Sequence, residues 1–398
     1  MKIKNLKKTA QRILKAIKNK EKIILYGDAD LDGTTSVIIL KETIMNLGGA
    51  VSAIYFPDRE KQGYGMNETA LGHLKKFAPA LFITLDCGIG NFKESELAKK
   101  IGFEVIIIDH HQTIPDKIPR VSIIVDPNQK GDKYPFKQLA NVGITFKLAL
   151  LLLKEKMTDA LKNNFLELTA IATIADMMKE EGENKEIIEQ GLISLENSGR
   201  PGLKAFFEIN GIKNYQSTRQ IAQKIISALN ITEPNSFSLN TGQSNLTDSY
   251  LLLTSESIEE AKTLAENLLE KRYQRQKRIK EIVEEIEERI LKNAKEPIVF
   301  EGDVSWPLIL MGACASQIFY RYQKPTFIFK KEEKESRGSV RMPLNLDAVE
   351  AMKSCSNLLL TYGGHPLAAG FTIKNENLEK FKTCLIKYFE NEENNHSR

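Results

Sequence analysis

The first third of the chain alternates short apolar runs with amphipathic stretches. Lys22–Gly27 (KIILYG), Val51–Phe56, Leu81–Leu85 (LFITL) and Val105–Ile108 are apolar runs of strand length, and Ser122–Val125 is a further short one. Between them, Thr34–Leu47, Asn67–Lys76 and Phe92–Ile101 have the spacing of helices. Strands that are apolar throughout bury both faces, and strands alternating with helices build a parallel sheet covered on both sides. The middle of the chain is helical in pattern. Val142–Lys156, Phe165–Met178, Ile187–Glu196 and Arg219–Leu229 place apolar residues three and four apart, and the Asn-, Ser- and Thr-rich stretch Thr232–Asp248 predicts a loop or insertion. Ser257–Asn293 contains neither Pro nor Gly, and Ala261, Leu264, Leu268, Ile279, Ile282, Ile286 and Ile290 recur at helical spacing. One long helix is predicted there, read as a solvated connector. Beyond Pro297 the pattern restarts, with strands at Thr326–Phe329 and Ser339–Met342 and helices at Gly312–Tyr322 and Asn377–Phe389. The expected architecture is α/β: a parallel-sheet domain over residues 1–250, a connector over 251–294 and a smaller α/β domain over 295–398.

Composition narrows the partners. The 398 residues carry 56 Lys and Arg against 52 Asp and Glu, a formal charge of +4. That excludes an arginine-rich or histone-like binder, so any phosphate-binding surface must come from local clustering. The N-terminus MKIKNLKKTAQRILKAIKNK is basic and amphipathic but lacks the continuous apolar stretch of a signal peptide. No run reaches the ~20 apolar residues of a membrane span. No membrane partner and a cytoplasmic location are the expectation. Four Cys with no C-x-x-C pair imply neither structural zinc nor a disulfide framework.

The chemistry concentrates at strand ends. Asp28-Ala29-Asp30-Leu31-Asp32-Gly33 follows the first strand, Asp86-Cys87-Gly88 the third and Asp109-His110-His111 the fourth. A single Asp in such a place is usually a helix cap or a solvated acid. Acids at three successive strand ends of one sheet converge on the edge where open α/β sheets bind ligands. An EF-hand also begins D-x-D-x-D-G, but its twelfth position from Asp28 is Ile39 and a strand precedes it. Asp176 follows the helical run Thr169–Ala175; alone it reads as a surface acid, and its value is to complete a cluster. Many carboxylates with one or two His suit manganese or magnesium better than zinc. Two such ions ~3.5–4 Å apart are a standard device for phosphoester hydrolysis.

In the C-terminal part, Gly363-Gly364-His365-Pro366-Leu367-Ala368-Ala369-Gly370 reads either as an anion-binding glycine segment or as a plain turn. Arg337 and Arg341, at i and i+4, share one face if their segment is a strand; phosphate binding and edge protection are the two readings. The basic run Lys271–Lys280 on the long helix is either a solvated face or a contact for nucleic-acid backbone.

With these motifs in view, the chain resembles the DHH phosphoesterase superfamily, specifically the RecJ-like single-strand nucleases. Tyr26–Ser36, Asp86-Cys87-Gly88 and Asp109-His110-His111 look like its first three motifs, and Ala172-Thr173-Ile174-Ala175-Asp176 like a fourth. Asp126-Pro127-Asn128 is similar to its "NPN" segment, and Val142–Leu148 to a later helix. Gly312-Ala313-Cys314-Ala315-Ser316, Arg321–Pro325, Gly338-Ser339-Val340-Arg341 and Gly363–Gly370 resemble the associated DHHA1-type substrate-binding domain.

The resemblance implies an active site in the cleft between two domains, with two Mn2+ ions (Mg2+ possible). Asp28 and Asp30 serve one ion, Asp86 bridges, and Asp32, His110 and Asp176 serve the other. Asp109 and His111 orient ligands or contact phosphate. Asn128, Arg337, Ser339, Arg341, Gly363, Gly364 and His365 contact substrate. It further implies 5′-to-3′ degradation of single-stranded DNA to mononucleotides, with RNA as an alternative polymer. Gln223–Asn230 keeps little of the RecJ segment "RINAAGR", and no room is expected for an oligonucleotide-binding domain after the glycine motif. The compact archaeal forms are similar in this, and some associate with the replicative GINS complex. Competing readings are a phosphodiesterase of short oligonucleotides or cyclic dinucleotides, and a non-enzymatic replisome scaffold.

Overall fold

The computed structural model describes residues 2–113, 118–209, 217–230, 245–292 and 296–396. It divides into two compact units, Met1–Arg272 and Tyr273–Arg398. Among the described residues no helix is long and apolar enough to cross a membrane.

In the first unit, α1 (Leu6–Lys18) leads into β1 (Ile23–Gly27) and α2 (Leu31–Asn46). Then come β2 (Ala53–Tyr55), α3 (Arg59–Gln62), α4 (Glu68–Leu74), β3 (Ala80–Leu85), α5 (Phe92–Ile101), β4 (Phe103–Ile108) and β5 (Ile123–Val125). The strands form one parallel sheet in the order β2-β1-β3-β4-β5. The apolar runs are continuous because both faces are covered. Ile23 and Leu25 of β1 point into the core shared with α2 and the later helices, while Ile24 and Tyr26 point into the core under α4 and α5.

A helical layer follows: α6 (Asn141–Leu153), α7 (Asp159–Ala175), α8 (Gly182–Leu195), α9 (Pro201–Ile209), α10 (Thr218–Leu229) and α11 (Asp248–Thr254). Of the expected loop at 232–248, residues 232–244 lie outside the described ones. Asn245 bridges to Tyr55 at the sheet edge, and α11 begins at Asp248.

Helix α12 (Ile258–Lys292) is not bare. Ala261, Ala265 and Leu268 join the core of the first unit; Ile279, Ile282, Val283, Ile286 and Ile290 pack with Trp306 in the second. Much of its basic run is paired: Lys271 with Asp248, Arg278 with Glu281 and Glu285, and Lys280 with Glu284. These pairs are what a solvated helix face provides.

The second unit holds β6 (Val299–Asp303), α13 (Met311–Tyr322), β7 (Thr326–Lys331), β8 (Glu335–Arg341), α14 (Ala348–Ser354), β9 (Leu359–His365), β10 (Ala368–Lys374) and α15 (Leu378–His396). Its sheet runs β6-β7-β8-β10-β9. Two expectations need correction here. The glycine segment is no turn: Gly363 and Gly364 sit in β9 opposite Gly370 and Ala369, and only Pro366-Leu367 turns the hairpin. Glycine-rich strands lack the β-branched signature that marks a strand in sequence. Cys355 and Cys384 are joined by a disulfide. They are 29 residues apart and meet through tertiary packing, which spacing rules do not see.

One buried charge in the first unit has a measurable consequence. Glu167 of α7 is fully buried, with Oε1 3.4 Å from Nε of Arg200, whose two Nη atoms hold Glu42 of α2 at 2.8 and 2.9 Å. Burial pushes the Glu167 carboxyl up to about 7 despite Arg200. A raised acid takes up a proton on folding, so stability falls as pH rises from the unfolded value near 4.5 through 7. Glu167→Gln removes this term. Between pH 5 and pH 8 the wild type is expected to lose on the order of 2 kcal/mol more than the variant. Parallel stability–pH curves in denaturant titrations would show that Glu167 does not titrate there.

Candidate active site

The carboxyl edge of the parallel sheet gathers the strand-end acids. Asp28 follows β1 and donates its N–H to Leu85 O at 3.1 Å, locking the ends of β1 and β3 together. Asp30 caps α2 by accepting the Gly33 N–H at 3.0 Å. Gly33 is required by close approach, since a Cβ there would meet Asp28 O at 2.3 Å. Asp32, in the first turn of α2, is buried. Its carboxylate accepts the N–H groups of Asn141 and Val142, at 2.8 and 2.7 Å, from the start of α6.

Asp86 follows β3 in the left-handed region, φ 63°, which costs a residue other than glycine roughly 1–2 kcal/mol. The strain aims its carboxylate inward: Oδ1 lies 3.3 Å from His110 Nε2. The same imidazole nitrogen lies 3.6 Å from Asp176 Oδ2, at the end of α7, and 3.8 Å from Asp32 Oδ2.

Donor atoms therefore converge in three sets: Asp28, Asp30 and Asp86; Asp32, His110 and Asp176; Asp86, His110 and His111. Within each set they lie within 4.8 Å of one another. Asp86 and His110 belong to two sets each. Asp86 Oδ1 and Asp176 Oδ2 are buried oxygens with no hydrogen-bond donor among the described residues. Such atoms are costly unless a cation satisfies them. Burial, then the neighbouring acids, pushes Asp86 and Asp32 well above the usual carboxylate range; the same causes take Asp176 to about 7. An all-oxygen and imidazole donor set of this charge fits manganese or magnesium.

Asp109 has a different task. It is fully buried and accepts from Ile89 N at 3.0 Å, His110 N at 2.8 Å and His111 Nδ1 at 2.8 Å. Burial opposes its charge, but the His111 imidazolium outweighs that and holds Asp109 down at about 2. Reciprocally, Asp109 overcomes the burial of His111 and raises it to about 9. The pair is a fixed ion pair beside the donor cluster. Asn128 supports the same turn, its Nδ2 donating to His110 O at 2.6 Å.

Three residues escaped the sequence reading. Arg59, at the start of α3, pairs with Asp28 and Asp30 through Nη2, and its Nε donates to Asp28 Oδ1 at 2.9 Å. Tyr64 donates its hydroxyl to Asp86 O at 2.9 Å and sits 3.2 Å from His111 Nδ1. Its sequence signal is one aromatic flanked by two glycines, Gly63 and Gly65. Asn141 ties the edge together. With its amide oriented to satisfy its neighbours, it donates to Ile108 O and accepts from Ser36 Oγ and Asp86 N, each at 2.9 Å.

In the second unit, Arg337, Ser339 and Arg341 alternate along β8 and so share one face, but their partners differ. Arg337 pairs with Glu332. Arg341 reaches α13, with Nε donating to Ser316 Oγ at 2.9 Å, and its guanidinium and Ser339 Oγ border Gly312. His365 and Gly363 are exposed at the edge strand, and nothing lies within 4 Å of where a Gly363 Cβ would be. Gly364, φ +139°, admits no side chain: a Cβ would meet Ala368 O at 2.6 Å.

The parallel-sheet unit with its acid-and-histidine centre and the second small α/β unit each match a known domain. The DHH family, N-terminal domain, matches residues 22–173, and the DHHA1 domain matches residues 297–391. Residues 22–173 thus carry a DHH N-terminal domain and residues 297–391 a DHHA1 domain. It is 34% identical over 394 residues to the single-stranded-DNA-specific exonuclease RecJ of Bacillus subtilis, covering 98% of this chain and 48% of that protein. It is 29% identical to RecJ of Thermus thermophilus, covering 97% and 54%. The chain thus spans about half the length of these curated relatives. A crystal structure of exonuclease RecJ bound to manganese matches with a TM-score of 0.76 at 26% identity, covering 98% of this chain and 95% of that one. The crystal structure of the Thermus thermophilus RecJ in complex with Mn2+ matches with a TM-score of 0.79 at 25% identity, covering 98% and 55%.

Proposed function

We propose that this chain is a manganese-dependent exonuclease that hydrolyses phosphodiester bonds of single-stranded DNA, from the 5′ end, releasing mononucleotides. The observation that carries the reading is the sharing of Asp86 and His110 between donor sets whose buried oxygens lack hydrogen-bond donors. Its support from outside the chain is the name of the RecJ relatives and the manganese in their structures.

Asp28, Asp30 and Asp86 would hold one ion, and Asp32, His110 and Asp176 the other, with Asp86 common to both. Bound divalent manganese supplies Lewis acidity toward phosphoryl oxygens and water. The chain's own groups do the rest. Arg59, which pairs with Asp28 and Asp30, would place a guanidinium beside the ion that they hold. His111, held protonated by Asp109 at neutral pH, offers a fixed positive N–H near Asp86 with the Tyr64 hydroxyl against it. Strand-end backbone bonds and the Asn141 amide keep the carboxylates in place without reorganisation. In the second unit Arg341, Ser339 and Ser316 form a compact donor group for a phosphate. Gly363, Gly364 and His365 leave an open strand edge for a substrate backbone.

A digestion panel with manganese tests the reading, using end-labelled single-stranded DNA, single-stranded RNA, a dinucleotide and a cyclic dinucleotide. Stepwise loss of nucleotides from the 5′ end of the DNA is expected. Cleavage confined to the dinucleotides, or RNA degraded in preference to DNA, would replace it with the corresponding alternative.

A further inference from the structure

The proposed chemistry does not use the N-terminal helix, yet the segment around that helix is strongly basic. The first 22 residues hold nine Lys and Arg against one acid, Glu21, a net +8 in a chain whose total is +4. Everything after Lys22 is therefore net −4. The single acid is held chiefly by Arg12, which pairs with Glu21 and with Glu104, and of the helix's lysines Lys15 also feels its charge. Helix α1 contains no acidic residue at all.

The helix is amphipathic, and its two faces are assigned. Leu6, Ala10, Ile13 and Ala16 are buried in the core of the first unit. Lys7, Lys8, Lys15 and Lys18 are exposed on the other side, with no side-chain hydrogen bond or ion pair among the described residues. The stripe continues at its N-terminal end. Lys4 donates its backbone N–H to Asp132 at 2.7 Å and its Nζ to Lys130 O at 2.8 Å. This joins α1 to the loop where Lys130 and Lys133 are also exposed. That loop begins at Asp126 and carries Asn128, which holds His110. The basic stripe thus starts beside a segment of the candidate active site and runs down the flank of the sheet, since α1 leads into the amino end of β1.

We propose that this stripe is a second contact for nucleic-acid backbone, holding phosphates of a strand outside the metal centre. The inference rests on the polymer-degrading reading above and deepens it. Lys15 and Lys18 suit the last turn of α1, but Lys7 and Lys8 near its start oppose the helix dipole, and a row of lysines spaced along ~16 Å of helix matches a polyanion rather than one small anion. A membrane surface fits less well, because the apolar face that would enter lipid is already buried in the core.

The test uses the full chain with Lys7→Gln, Lys8→Gln, Lys15→Gln and Lys18→Gln combined, since Gln preserves helix propensity. Binding of fluorescein-labelled oligo-dT of about 60 and of about 6 nucleotides is measured by anisotropy in EDTA across a potassium chloride series. The variant is expected to bind the long strand at least about tenfold more weakly at roughly 0.1 M salt. Its slope of log K against log salt should be shallower by roughly 2–3. Binding and manganese-dependent cleavage of the short oligonucleotide should be unchanged. An unaltered slope for the long strand overturns the proposal, and so does equal loss on both lengths. Loss of binding to phosphatidylglycerol vesicles with DNA binding intact would assign the stripe to membrane instead. Because the binding assay needs no turnover, failure of the nuclease reading appears separately, as absence of hydrolysis by the wild type.

Discussion

Asp86→Asn is expected to lower manganese-dependent hydrolysis at least roughly a thousandfold, about 4 kcal/mol of transition-state stabilisation, while making the metal-free protein more stable. Both effects come from one placement. Asp86 is buried at φ 63° among Asp28, Asp30, Asp32 and Asp176, and its Oδ1 has no hydrogen-bond donor among the described residues. Burial and like charge make this carboxylate a cost to the apo fold that only a cation repays. Asn keeps the shape, tolerates the left-handed backbone and deletes the charge. In EDTA its Tm should rise by a few degrees, at roughly 2–4 °C per kcal/mol for a domain of this size. The Tm increase that manganese gives the wild type should be absent. Near-wild-type turnover, or a variant less stable than wild type in EDTA, would sink the assignment.

Asp109→Asn is expected to behave in the opposite sense on stability. Asp109 is as buried as Asp86, but its oxygens are met by three backbone N–H groups and the His111 ring. The variant should lose about 2–3 kcal/mol at pH 7. The pH signature follows from the two directions. Asp109, held down at about 2, contributes stability above its usual value near 3.8 that is lost as pH falls through 2. His111, raised to about 9, contributes stability that is complete below 6.5 and lost as pH rises through 9. The difference between wild type and variant should therefore be greatest between about pH 4 and 6.5 and shrink toward both extremes. Activity should fall as well, since the turn that carries His110 is held by Asp109. A pH-independent difference would mean that Asp109 acts only through neutral hydrogen bonds.

The contrast between these two acids shows where sequence reading stops. The motifs named both, and their strand-end positions placed both at one edge. Which carboxylate is satisfied by the protein and which is left for a cation depends on backbone N–H directions after β3 and β4. Spacing does not encode those. The same holds for Arg337 and Arg341: identical in type and four residues apart on one strand, one is paired with Glu332 and the other meets Ser316.

The chain's own pattern determined the alternation of strands and helices, the parallel first sheet, the long helix and the acids and histidines at the strand ends. These are local properties: period, run length and the residue that follows a strand. Tertiary structure alone decided that Arg59, Tyr64 and Asn141 join the site, that the glycine segment is a strand pair, and that Cys355 meets Cys384. Each depends on contacts between segments distant in sequence, where geometry rather than composition selects the partner.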